Sequence, residues 1–173
     1  QWIVFIDDDC YLPKHYIKNL KKELISVTNK NKFFGFGGPS LRPKDDSIFS
    51  KISDCFFTSI FGSSFPERYK IIKRNNFKVK DWPSCNLIVN KKKFLKIGGF
   101  DHKLWPGEDT DLISRANNIN LNLYYNNNIY NYHYGRDNIF AFFKQIFRYG
   151  KFRSIFIIKN FEFKFLIAMF HLP

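Results

Sequence analysis

Apolar and polar positions along the chain follow two periods, and the switches between them predict the elements. Residues 2–6 are a short unbroken run of Trp, Ile, Val and Phe, the pattern of a buried strand. The run stops at three successive carboxylates, Asp7, Asp8 and Asp9. From Pro13, which suits a first helical turn, to about Val27, the period becomes helical, with Tyr16, Leu20 and Leu24 on one face. Residues 33–36 read as a strand closed by Gly37, Gly38 and Pro39. Residues 47–61 read as an aromatic-rich helix, whereas 68–80 are basic and fit no period. Residues 86–89 predict a strand and 91–97 a short helix stopped by Gly98 and Gly99. Pro106 and Gly107 open a further helix, with Glu108, Asp109 and Asp111 in its first turn and Leu112, Ile113 and Ala116 behind. Residues 121–125 and 129–134 alternate as strands, and Asp137 is the expected cap of a last helix reaching about Tyr149. Such strand–helix alternation predicts an α/β fold with a mixed sheet flanked by helices.

The 173 residues can enclose a core, and 45% hydrophobic content excludes a disordered tail. The net charge of +13 favours anionic partners, whether phosphate-rich ligands, nucleic acid or anionic lipid, without choosing among them. The 3 cysteines, Cys10, Cys55 and Cys85, are scattered without a C-x-x-C, which argues against a disulfide framework or a structural zinc site. A reducing, cytoplasmic setting is expected. The chain opens inside an apolar run without an initiator Met or signal pattern and closes on Pro173, as expected of a piece of a longer protein.

Four groups of residues carry candidate chemistry. Asp7, Asp8 and Asp9 repel one another unless a cation sits nearby, and at the carboxyl end of a buried strand they face the crevice where α/β sheets bind ligands. Their hard oxygens suit Mg²⁺ or Mn²⁺ bridging to a diphosphate. A polar turn is the plainer alternative. Glu108, Asp109 and Asp111 favour a helix N-terminus through the dipole, but that needs only one or two acids; the excess, after an exposed Trp-Pro-Gly turn, points to a general base. His133, at a strand end between Tyr132 and Tyr134, offers a third metal ligand, although a lone His among aromatics is more often simply packed. Lys144, Arg148 and Lys151 are expected on one helical face, able to hold a diphosphate or anionic headgroups, with Phe140, Phe143 and Phe147 on the opposite side. A solvated basic face is the alternative.

In order along the chain, the strand with its three aspartates, Cys85-Asn86-Leu87, Gly98-Gly99-Phe100-Asp101, Gly107-Glu108-Asp109-x-Asp111-Leu112, His133 and Tyr149-Gly150-Lys151 resemble the family 2 glycosyltransferases. The resemblance implies a GT-A-like fold, with residues 1–150 the C-terminal part of the catalytic domain and the N-terminal nucleotide-binding strands lying before Gln1. It implies a metal-dependent inverting transferase acting on a nucleotide-sugar donor. Asp7 and Asp9 would hold Mn²⁺ or Mg²⁺, joined by His133, and Asp7, Asp8, Arg148 and Lys151 would contact the donor. Asp109 would be the base, with Glu108 beside it. Gln145 and Arg148 are similar to the Gln-x-x-Arg-Trp of processive synthases, with Tyr149 in place of the Trp. A glycan or lipid-linked acceptor and a place at the cytoplasmic face of a membrane are expected, with residues 151–173 as an amphipathic interfacial segment. Arg153, Lys159, Glu162 and Lys164 argue against a span there.

Three rival readings fit parts of the sequence. A nucleic-acid-binding module would use the positive charge and the aromatics, but the aromatics sit mostly at core spacings and three acids without a metal repel phosphate. A metal-dependent nucleotidyl- or phosphotransferase could share the paired carboxylates. A non-catalytic glycan- or lipid-binding homologue would have no need to keep Asp7, Asp9, Glu108 and Asp109.

Overall fold

A computed structural model describes residues 1–27, 31–59 and 65–160. In chain order the elements are β1 (Trp2–Ile6), β2 (Cys10–Tyr11), α1 (Tyr16–Val27), β3 (Phe33–Gly37), β4 (Ser40–Leu41), α2 (Ile48–Thr58), β5 (Lys78–Val79), β6 (Asn86–Asn90), α3 (Lys91–Lys96), α4 (Glu108–Asn118), β7 (Asn122–Tyr125), β8 (Asn131–His133) and α5 (Ile139–Asn160). The fold is mixed α/β.

The main sheet has five strands in the order β1-β6-β3-β7-β5. Its centre explains the unbroken apolar runs. On β6, Leu87 and Val89 pack into one core with Leu112, Ile113 and Ala116 of α4, while Ile88 packs into the other with Tyr16 and Leu20 of α1. Helices therefore cover both faces, so no position on β6 from Leu87 to Val89 can be polar.

The strand directions create the crevice. β1 and β3 both pair antiparallel to β6, and β3 pairs parallel to β7, so β1, β3 and β7 run the same way. Each then crosses into a second, small sheet of order β2-β8-β4. Asp7, Asp8 and Asp9 join β1 to β2, Gly38 and Pro39 join β3 to β4, and residues 126–130 join β7 to β8. Three carboxyl ends thus meet at one seam.

Buried amides close that seam. Asn86 donates to the Ile129 carbonyl at 2.7 Å and accepts the Tyr16 hydroxyl at 2.7 Å, and Asn131 donates to the Cys85 carbonyl at 2.7 Å. A Cβ on Gly37 would overlap the Trp82 indole, and one on Gly38 the Ile129 carbonyl, so this approach of backbones requires glycine.

Several boundaries differ from the sequence expectation. α1 begins at Tyr16, because Pro13 closes a turn, accepting the Tyr16 N–H at 2.9 Å. α2 starts after Ser47, whose side chain caps Ser50 N–H; the expected continuation through residues 60 and 61 lies outside the described residues. The last helix is capped by Asn138, which accepts the Ala141 N–H at 2.8 Å, not by Asp137, whose carboxylate receives the Asn138 amide. It also runs past Tyr149 and through residue 150 to Asn160. The strands β2, β4 and β5 were not expected, each being two residues long and too short to show a period.

The faces of α5 also differ from expectation. Phe142 turns inward to meet Phe49 and Phe57 of α2 at 5.9 and 5.7 Å. Phe140, Phe143 and Phe147 are 83%, 61% and 75% exposed, and Lys144 and Lys151 share that outward face rather than opposing it. At 100° per residue, 140, 144, 147 and 151 fall within one narrow arc. Arg148 stands at its edge, and its guanidinium turns inward to lie 4.7 Å from the Trp105 ring. Among the described residues no helix is long and apolar enough to cross a membrane. The expected interfacial segment from 161 onward lies outside them.

Candidate active site

A cleft of about 550 Å³ opens where the two sheets meet. Its floor carries Asp7, Asp8 and Asp9 from the β1–β2 link and His133 from the end of β8. One wall is the first turn of α4, with Glu108 and Asp109, and another is the inner face of α5, with Gln145, Arg148 and Tyr149. Asp7, Asp8, Asp9, Glu108, Asp109, His133 and Arg148 thus share one cavity, whereas Asp111, Lys144 and Lys151 do not line it.

The turn before α4 explains how its acids are presented. Gly107 caps the helix with φ +126, a conformation that favours glycine, and a Cβ there would strike the Phe152 ring of α5. Glu108 accepts the Gly107 N–H at 2.9 Å. Asp111 turns away from the cleft to hold Arg115 at 2.7 Å, and Arg115 in turn donates to the carbonyls of Ile97 and Gly99. The Gly-Gly turn and the acidic turn are therefore coupled through one guanidinium. Asp111 is structural, whereas Asp109 faces the cavity.

Asp109 accepts the Thr110 N–H at 2.7 Å and the Ser84 N–H at 3.2 Å. Burial, then the neighbouring Asp81 and Glu108 carboxylates, push its carboxyl up to about 7; the Thr110 N–H and Arg68 oppose this. Asp81 and Arg68 escaped the sequence reading. They form an ion pair at 2.6 Å in the lining of the cleft, and residues thirteen apart in a segment without a period leave no signature.

The sign of the resulting pH dependence is opposite to that of an ordinary salt-bridged carboxylate. A group whose folded pKa lies above its unfolded value favours folding in its protonated form. Stability from this group is fully present below 3.8 and is lost as pH rises to about 7. Asp109→Asn should therefore gain on the wild type across that window, by up to about 1.4 kcal/mol per pH unit. Urea unfolding of both proteins from pH 4 to 8 measures it; a difference that does not grow with pH would rule out the raised carboxyl.

The floor fits a divalent cation. Asp9 Oδ1 lies 2.9 Å from His133 Nε2 but outside hydrogen-bond geometry, which leaves that buried oxygen without a donor among the described residues. Metal bonds of about 2.1 Å at right angles place adjacent ligand atoms about 3 Å apart. Asp7 is exposed, and one of its oxygens forms a second close group with the Cys85 sulfur and a His133 nitrogen, all within 4.8 Å of one another. Surrounding protein raises the Asp7 carboxyl; His133 opposes this, and the Asp9 and Asp8 charges add to it. Burial lowers the His133 pKa against the pull of Asp9 and Asp7, which favours the neutral imidazole that a metal needs. On the opposite wall, buried Arg148 Nε has no acceptor among the described residues, and a guanidinium N–H suits an anionic oxygen.

No protein-family model matches the chain, and no curated protein matches it significantly.

Proposed function

We propose that this cleft belongs to a GT-A-type inverting glycosyltransferase of family 2, moving a sugar from a nucleotide-diphosphate donor to a hydroxyl of a glycan or lipid-linked acceptor. One observation carries the reading: a carboxylate–imidazole floor suited to a divalent ion faces, across one cavity, a buried carboxylate with a raised pKa. A role in binding alone needs no such opposed pair.

Asp7, Asp9 and His133 would hold Mn²⁺ or Mg²⁺, with Asp8 beside them. The bound ion supplies charge neutralisation to the departing diphosphate. Arg148, fixed against Trp105, donates to diphosphate oxygens. Asp109 accepts the proton of the acceptor hydroxyl as that oxygen forms its bond to the anomeric carbon, and the bond from that carbon to the diphosphate breaks on the opposite side. A base with a pKa near neutrality is matched to this task. Glu108, through its negative charge, helps keep that pKa high.

The test is nucleoside diphosphate release from a panel of sugar nucleotides by the protein in its full reading frame. Release from one donor with manganese, abolished by chelator, is expected. No release from any donor, by folded protein with membranes present, would leave a non-catalytic reading.

The outward face of α5 supports contact with an anionic membrane surface. Exposed phenylalanines interleaved with lysines suit the headgroup boundary, where rings enter and ammonium groups stay at the phosphates. The chain should co-sediment with vesicles containing phosphatidylglycerol and not with pure phosphatidylcholine. The combined variant Phe140→Ser, Phe143→Ser and Phe147→Ser should lower that binding by about tenfold or more. Equal binding to neutral vesicles, or full binding by the variant, would remove α5 from this role.

A further inference from the structure

Cys10 is far from His133 in sequence but directly opposite it in space. The Tyr134 N–H donates to the Asp9 carbonyl at 3.1 Å, which makes 9 and 134 a hydrogen-bonded rung of the β2–β8 pair. Cys10 and His133 are then the next, non-hydrogen-bonded pair, whose side chains stand closer together. Asp9, in the link before β2, brings its carboxylate to the same imidazole. The Cys10 sulfur, a His133 nitrogen and an Asp9 oxygen all lie within 4.8 Å of one another. Asp9 Oδ1 is buried without a hydrogen-bond donor among the described residues. Cys85 forms a second such group with Asp7 and the same imidazole, but it is 7% exposed and its sulfur lies 3.2 Å from the Ser40 hydroxyl, whereas the Cys10 thiol makes a longer contact of 3.9 Å with the Cys85 carbonyl.

We propose that Asp9, Cys10 and His133 form a binding site for a thiophilic divalent ion, Zn²⁺ foremost, and that this ion displaces a hard cation from the same carboxylate and imidazole. Sulfur, nitrogen and oxygen donors together are a zinc set, whereas Mg²⁺ and Mn²⁺ take oxygens and make no use of the thiol. Tetrahedral zinc with bonds of about 2.0–2.3 Å holds ligand atoms about 3.3–3.6 Å apart, within reach of small side-chain adjustments here. A water or an acceptor oxygen completes the fourth position. On binding, the Cys10 S–H bond breaks, the sulfur keeps the electron pair and coordinates the metal, and the proton leaves to solvent, one per ion. No oxidant or reductant is involved. The zinc site stands on the three residues alone; only the displacement rests on the reading of the cleft as a Mn²⁺ or Mg²⁺ site.

Cobalt(II) is the probe, because thiolate coordination gives it a near-ultraviolet charge-transfer band that oxygen and nitrogen ligands lack. Titration of the whole chain should give this band at one equivalent, with Zn²⁺ erasing it. Cys10→Ser should abolish the band and weaken zinc by no less than the about 10–100-fold that loss of an outer-shell partner costs. Cys85→Ser and Cys55→Ser should keep it, which also shows that serine in place of cysteine does not itself disturb the measurement; circular dichroism of Cys10→Ser confirms its fold. No band in the wild type, or a band that survives Cys10→Ser, would overturn the proposal. Bound Mn²⁺, followed by electron paramagnetic resonance, should be released by less zinc from the wild type than from Cys10→Ser, whose remaining nitrogen and oxygen ligands still prefer zinc to manganese but without the thiolate; equal zinc requirements would overturn the displacement through Cys10. A cobalt band in a protein that never binds Mn²⁺ would overturn the displacement and the hard-metal reading, leaving the zinc site in place.

Discussion

Asp109→Asn is expected to lower sugar transfer by about 10²–10⁴-fold, the contribution of a positioned general base. The amide cannot take the acceptor proton, yet it is nearly isosteric and sits on a helix start fixed by Gly107 rather than by Asp109 itself. Metal-dependent binding of the nucleotide should therefore persist, since the floor residues lie on other elements. The wild-type rate should rise with pH through about 7 and then level, because only the ionised carboxylate acts as a base. Transfer assays across pH 5 to 9, beside nucleotide titrations, separate the two effects. A variant retaining most of its rate, or a wild-type profile flat through neutrality, would take the base role from Asp109.

Asp9→Ala is the second large effect. It removes the carboxylate closest to His133 and with it one of the oxygens aimed at the proposed ion. Loss of an outer-shell partner alone costs about 10–100-fold in metal affinity, so removal of a direct ligand should reach at least the upper end. Rate should fall in parallel, since the departing diphosphate loses its compensating charge. Excess manganese should restore part of it, a rescue that a folding defect would not give. Isothermal titration with Mn²⁺ gives the affinity directly. Unchanged affinity would place the ion elsewhere, and a loss of rate without loss of affinity would make Asp9 a donor contact only.

The elements with a long apolar run or a clear helical period were legible in the chain. β3, β6 and α4 stand close to where the pattern places them because they supply the two cores, whereas β1 keeps its expected position but, as an edge strand, is only half-buried and leaves Val4 exposed. β2, β4 and β5 carry two residues each, and a two-residue strand has no periodicity to read. The expected shared face holds for Lys144 and Lys151 but not for the charge of Arg148. Spacing fixes where a side chain starts, but the length of Arg148 and the Trp105 ring decide where its charge ends.

The acidic residues of the cleft were visible as clusters, and their grouping at a strand end and a helix start is a local property. By itself the sequence determined an α/β fold with a mixed sheet, two acidic groups and a basic final helix, since hydrophobic period and adjacent charge are written in consecutive residues. Only the tertiary structure decided that Asp9, His133, Asp109 and Arg148 share one cavity, that Arg68 and Asp81 line it too, and that Cys10 opposes His133. Those contacts depend on β1, β3 and β7 running the same way into a second sheet. That arrangement is fixed by pairing between distant strands, and no window of consecutive residues contains it.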